Sequence, residues 1–75
     1  MVTLIAVFDR RELERQGKTI DDTLYLGPNS ALGLGAVLFP IPFNQAEKDD
    51  LERDPAFRRY SEEPERYYIT TVSGN

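Results

Sequence analysis

The sequence predicts a small α+β domain with about four strands and two short helices, in the order βαββαβ. Residues 2–8 form an unbroken run of β-branched, aromatic and other apolar side chains, which is typical of a central strand that is buried on both faces. Residues 66–72 form a second β-rich run, and residues 44–53 begin with a helix-capping pattern. This order is the ferredoxin-like one. The 75 residues make one domain, 1–75.

The first helix is predicted from its ends rather than from an apolar face. Asp9 is suited to cap the helix N-terminus, Glu12 follows at capping-box spacing, and Gly17 stands where a helix often ends. These signals predict a helix over residues 10–16. Its only apolar side chain is Leu13, so an irregular turn is the alternative.

The middle of the chain is predicted to be mainly strand. Residues 19–26 alternate between apolar and polar side chains, as in a strand with one face in water. Residues 27–30 are predicted to form a turn. Residues 31–39 fit a strand or a short helix, and the run Val37-Leu38-Phe39 favours the strand, with Gly33 and Gly35 at a bulge or close contact. Pro40 and Pro42 end that strand or place it at an edge.

The second helix is predicted to begin after Asn44, which has Glu47 three residues on, and to break at Asp54 because a proline follows. Pro55 then restarts the helix at its first position. The apolar stripe of this restarted helix is Ala56, Phe57 and Tyr60.

Composition excludes several kinds of protein. The chain has no cysteine and no histidine, which excludes disulfides and zinc clusters of those residues. Its longest apolar run, residues 32–43, is too short to cross a bilayer, and the first residues lack the basic start of a secretory signal. We expect a cytoplasmic protein that has no cofactor or bound metal.

The negative charge is concentrated in residues 44–65. That segment holds eight of the 13 acidic residues and four of the nine basic ones, so the remainder of the chain is neutral. An acidic segment repels both nucleic acid and a phosphate-rich membrane. We therefore expect neither as a direct partner.

No pattern predicts a catalytic site. The adjacent acidic pairs at 21–22, 49–50 and 62–63 point in different directions on a strand or helix, so each is expected to be solvated surface charge. A separate basic cluster could touch nucleic acid or an acidic partner, but interleaved acids favour a surface of ion pairs. This cluster consists of Arg10, Arg11, Arg15 and Lys18. We expect a protein that is not an enzyme.

The acidic segment and a nearby tyrosine form the predicted contact surface for a protein partner. Tyr67 and Tyr68 face opposite ways on a strand, so one can enter the core while the other stays partly exposed. The alternatives are that the acids are only solvated and that both tyrosines cover the core. The predicted partner-binding residues are Asp49, Asp50, Glu52, Glu62, Glu63 and Tyr68.

Two segments resemble small structural or accessory proteins of Mu-like prophages. The first is the apolar strand with its Arg10-Arg11 turn and Gly17, and the second is the Phe43-Asn-Gln-Ala-Glu-x-x-x-Leu51-x-x-Asp54-Pro55-x-Phe57 pattern. The match covers residues 2–17 and 43–57. The chain departs from the pattern by a Gly/Pro-rich insertion at 27–42 and by a wider spacing between the arginines and Gly17. The resemblance implies a phage-encoded protein in the host cytoplasm and carries over no catalytic residue.

Two main functional hypotheses follow, with a small carboxylate-dependent enzyme as a third alternative. The first is a non-enzymatic module for protein–protein contact or assembly, which also forms a homo-oligomer through the apolar run 32–43 because so small a core favours a partner. The second is an acidic inhibitor of the counter-defence type, whose carboxylates block the basic site of a nucleic-acid-binding protein.

Overall fold

The computed structural model describes residues 2–74, which contain three strands, four α-helices and one 3₁₀ helix. In chain order they are β1 (Val2–Asp9), α1 (Arg10–Arg15), the 3₁₀ helix (Ile20–Thr23), α2 (Pro28–Gly33), β2 (Val37–Pro40), α3 (Gln45–Arg53), α4 (Pro55–Ser61) and β3 (Tyr67–Gly74). The α+β class is confirmed. One predicted strand is replaced by the 3₁₀ helix, α2 was not predicted as a separate helix, and the broken second helix is α3 and α4.

The strands form one antiparallel sheet in the order β2-β1-β3, so β1 is central, as its apolar run predicts. Ala6 lies opposite Leu38 of β2 and Thr70 of β3. Ala6 and Phe8 are fully buried and Val7 is 2% exposed. Because adjacent side chains of a strand point to opposite faces, β1 supplies core residues to both sides of the sheet.

The face that carries Ala6 and Phe8 is covered by α1 and α2. Both side chains pack with Leu13 of α1, Ala31 of α2 and Val72 of β3 in one buried cluster. This cluster gives the single apolar residue of α1 a place in the core. Tertiary packing therefore stabilises a helix too short to be stable alone.

The opposite face is covered by α4 through aromatic contacts. The Phe39 ring of β2 meets Phe57 edge-on, with ring centroids 5.2 Å apart, and also meets Tyr60 at 6.2 Å. Tyr60 in turn meets Tyr67 of β3 at 4.8 Å. The predicted stripe of α4 thus packs through Phe57 and Tyr60, whereas Ala56 is exposed.

The start of α1 agrees with the sequence, but its predicted capping box is not formed. The Asp9 carboxylate accepts a hydrogen bond from Arg11 N at 2.9 Å, and Gly17 adopts a φ of 72° just after the helix. Glu12 instead binds the side chains of Arg15 and Gln16. The irregular-turn alternative is wrong.

The predicted strand over 19–26 is wrong. Thr19 N donates to Asp22 Oδ2 at 2.7 Å, and Thr23 Oγ1 donates to Ile20 O at 2.6 Å. Such local side-chain bonds compete with strand pairing, and here they favour the 3₁₀ helix. Leu24, which the strand pattern placed on a buried face, is 54% exposed.

For residues 31–39 the sequence left open a strand and a short helix, and the structure has both within residues 28–40. Gly27 and Pro28 begin α2, with the proline at the first position, so the predicted turn at 27–30 is instead a helix start. Gly35 ends the turn after α2 with a φ of 86°. Only residues from Val37 to Pro40 then form a strand.

None of the helices in the described part of the chain is long and apolar enough to cross a membrane.

Candidate functional site

The structure divides the predicted partner-binding residues between separate places. Asp49, Asp50 and Glu52 lie on α3, whereas Glu62 caps the C-terminus of α4 and Glu63 follows it. Asp50 borders a groove beside β2, but Glu63 borders a different cavity beside α1. The five acids therefore do not line one common cavity.

Tyr68 lies on the sheet face covered by α1 and α2. Its ring packs against Phe8, with centroids 6.5 Å apart, and the Arg10 guanidinium lies 5.5 Å above it. The tyrosine of β3 that contacts the acidic segment is Tyr67, through Tyr60. The two tyrosines do face opposite ways, as the strand period predicts.

Two of the acids are already paired with arginines of their own helices. Arg53 Nη2 lies 2.9 Å from Asp50 Oδ1, and Arg58 Nε lies 2.9 Å from Glu62 Oε1. All four side chains are more than half exposed, so each pair contributes little to stability. Locally, however, the pairs reduce the negative charge that Asp50 and Glu62 present.

The groove that Asp50 borders lies between the end of β2 and α3, and its volume is about 320 Å³. We call it the acidic groove. Its apolar wall consists of Pro40, Ile41, Pro42, Phe43 and Leu51, and its polar lining consists of Glu47, Asp50 and Asp54. Every charged residue in this lining is therefore a carboxylate.

The local sequence explains the groove. Pro40 and Pro42 lack N–H donors, so the chain leaves the sheet after β2. Asn44 Oδ1 then accepts a hydrogen bond from Glu47 N at 2.8 Å and starts α3. The Glu47 side chain reaches back to accept a bond from Phe43 N at 2.9 Å. These two bonds fix the turn that forms the groove.

Phe43 is the most unusual residue of the groove, because 94% of its surface is exposed. A hydrophobic residue before a helix cap often packs against the fourth helical residue. Here that residue is Lys48, which offers no apolar partner. The ring is therefore left at the mouth of the groove instead of folding onto α3.

Sequence reasoning missed this site. It treated residues 32–43 as one apolar run and assigned the partner surface to five acids and Tyr68, of which only Asp50 lines the groove. The lysine at the fourth position of α3 was the one available signal that Phe43 would be exposed.

The second cavity, of about 650 Å³, lies between α1 and the turn before β3. Its charged lining includes both signs: Arg10, Arg11, Glu14, Lys18, Glu63, Glu65 and Arg66. Arg66 Nη2 donates to Asp9 Oδ2 at 3.3 Å, and this bond raises the pKa of the Arg66 guanidinium. The predicted basic cluster is therefore mixed with acids, and its fourth member, Arg15, binds Glu12 instead.

Within residues 2–74, no group of three or more acidic side chains is placed to hold a metal ion.

Comparison of the chain with family models, with curated proteins and with solved structures found no match. The resemblance to proteins of Mu-like prophages, and the cytoplasmic location expected with it, therefore stay predictions.

Proposed function

We propose that this protein is a non-enzymatic protein-binding module whose acidic groove holds an apolar side chain of a partner next to that partner's lysine or arginine residues. The observation that carries the proposal is the exposed Phe43 ring at the mouth of a groove whose lining charges are all negative. An aromatic ring in water beside a concave apolar wall is a common feature of protein contact sites.

The apolar wall supplies the favourable free energy of this contact. Covering an aromatic side chain typically yields about 1.5–3 kcal/mol, and buried aromatic residues often dominate binding energy. Phe43 needs no rearrangement of the core to be covered, because it already lies outside it. Pro40 and Pro42 restrict the backbone of the same apolar wall, which lowers the entropy lost on binding.

The carboxylates supply selectivity. Glu47 and Asp54 are held by helix-capping bonds to Phe43 N and Ala56 N, so their charges are fixed beside the groove. A partner with acidic residues would be repelled, whereas lysine or arginine beside the apolar residue would be attracted. The net charge of −4 adds a long-range attraction for basic partners.

The inhibitor hypothesis receives less support from the same geometry. A mimic of nucleic acid needs a row of free carboxylates, but Asp50 and Glu62 are paired with arginines. Glu63 also borders a different cavity from Asp50. An apolar groove has no part in that hypothesis, so the experiment can separate the two.

The test is selection from a library of random linear peptides displayed on phage, with the purified protein immobilised. We expect the enriched peptides to combine an aromatic or aliphatic residue with lysine or arginine. Affinity for a synthetic peptide from the selection is then measured for Phe43→Ala and for Tyr25→Ala. Tyr25 is the matched control, because it is 98% exposed and does not line the groove.

Phe43→Ala should weaken binding about tenfold or more, whereas Tyr25→Ala should leave the affinity unchanged. Binding that survives Phe43→Ala, or a selection that enriches peptides without basic residues, would contradict the proposal. Replacing Asp49, Asp50 and Glu52 by their amides separates the hypotheses. Abolished binding with no effect of Phe43→Ala would favour the inhibitor.

A further inference from the structure

The two edges of the sheet differ in how well they are protected. Because β1 is central, β2 and β3 each leave one edge unpaired by another strand of the sheet. β2 has only four residues and ends in Pro40, and shortness and proline both hinder further pairing. β3 runs for eight residues, with no proline and no charged side chain. Its pairing with β1 advances without a bulge from Tyr67 to Gly74.

The hydrogen-bond pattern shows which backbone groups of β3 face outward. Arg10 N donates to Arg66 O at 2.8 Å. In an antiparallel pair the bonded positions alternate, so the even-numbered residues of β3 face β1. The N–H and C=O groups of Ile69, Thr71 and Ser73 therefore point away from the sheet. No other backbone segment within residues 2–74 hydrogen-bonds to them.

We propose that a second copy of this chain pairs with this edge. The two β3 strands run antiparallel about a two-fold axis at Thr70, and the two sheets join into one. This inference concerns assembly and does not rest on the proposed binding function. It also replaces the apolar run 32–43, expected from the sequence as the contact between copies, with a different surface.

The composition of β3 suits pairing with a copy of itself. With the axis at Thr70, Ile69 lies opposite Thr71 of the partner copy and Tyr68 lies opposite its Val72. Pairs of aromatic or β-branched residues are among the favourable cross-strand neighbours, and two threonines meet at the axis. Because Tyr67–Gly74 carries no charge, self-pairing places no like charges opposite each other.

Pairing about Thr70 also satisfies the outward backbone N–H groups of β3. Tyr67 N is already bonded to Glu63 O at 3.0 Å, so the free groups begin at the Tyr67 carbonyl. With the axis at Thr70, that carbonyl faces the N–H of Ser73 in the other copy, and Ile69 exchanges bonds with Thr71. Every outward N–H from Ile69 to Ser73 thus acquires an acceptor.

The first test is residue-resolved amide hydrogen exchange at low and high protein concentration. In the dimer the amides of Ile69, Thr71 and Ser73 are protected, and dilution should remove that protection. The amides of Thr70 and Val72 face β1 and should stay protected at both concentrations. A dimer in which Ile69 and Thr71 exchange freely, or a chain that stays at 8.6 kDa up to about 1 mM, would overturn the proposal.

The second test compares Thr71→Pro with Thr71→Ala by sedimentation at a concentration where the natural chain is dimeric. The proline removes an N–H that faces outward, so no bond to β1 is lost, and edge strands tolerate such a proline. Thr71→Pro should sediment as a monomer and Thr71→Ala as a dimer. A folded Thr71→Pro protein that remains dimeric would refute the proposal. If the proline prevents folding, the exchange pattern of the natural chain decides.

Discussion

At the scale of single residues, Glu12 links the stability of α1 to pH. Its carboxylate accepts bonds from Arg15 Nε at 2.9 Å and from Gln16 Nε2 at 3.1 Å. The bond from Arg15 is the main reason why the pKa of Glu12 is lowered in the folded protein. A lowered pKa means that the folded state binds protons less readily than the unfolded state.

The first prediction follows from the lowered pKa of Glu12. The contribution of Glu12 to stability is present above its unfolded pKa and is lost as the pH falls through its folded pKa. We expect the free energy of unfolding to decrease on acidification, and Glu12→Gln to remove part of that decrease. Urea unfolding at a series of acidic pH values measures this decrease in the free energy of unfolding. Glu14→Gln, on the same helix, is the control. Parallel pH profiles for the natural chain and Glu12→Gln would contradict the assignment.

At the scale of elements, the cap of α3 is a main local source of its stability. No residue of α3 is buried, so packing adds little to a helix of nine residues. Asn44 supplies the N-terminal bond to Glu47 N at 2.8 Å. Glu47, Asp50 and Leu51 all border the acidic groove from this helix, so the cap also shapes the proposed binding site.

The second prediction is that Asn44→Ala destabilises α3 by about 1 kcal/mol, the usual cost of losing such a cap. Amide exchange should accelerate in α3 while the amides of β1 keep their protection. Asn44→Asp retains an acceptor at the same place and is the matched control, with exchange close to that of the natural chain. Equal exchange in the alanine and aspartate variants would show that the cap does not support α3.

At the scale of the whole molecule, the fold is a flat body of 38 × 29 × 15 Å in which the two proposed surfaces are separated by β1. The acidic groove adjoins the end of β2 and is lined by no residue of β3, whose free edge is on the other side of the sheet. Pairing through β3 would therefore leave both grooves of a dimer open. Such a dimer would bind two partner segments at once, which would strengthen attachment to a repeated target.

The third prediction is that the thermal unfolding midpoint rises with protein concentration. Only folded chains can pair through β3, so mass action adds stability to the folded state as concentration increases. Thr71→Pro should abolish the concentration dependence and Thr71→Ala should keep it. Circular dichroism melts from about 5 µM to about 500 µM measure the effect. A midpoint of the natural chain that does not move would contradict the prediction.

The sequence by itself determined the elements that depend on neighbouring residues. The apolar run of β1 required a central strand, Asp9 and Asn44 capped their helices, and Pro55 restarted a helix after Asp54. The two caps and the proline act within a few residues, through a hydrogen bond or a fixed backbone angle, and the run of β1 acts through its unbroken apolar composition. Such signals stay the same whatever the rest of the chain does.

Only the tertiary structure decided which of two side chains of the same type is buried. Leu24 and Leu13 are both leucines in weakly apolar segments, yet Leu13 is buried between α1 and β1 while Leu24 is exposed. Phe8 and Phe43 differ in the same way, because only Phe8 meets a helix packed across the sheet. Burial depends on contacts between segments far apart in the chain, so the acidic groove and the free edge of β3 became visible only once those segments were assembled.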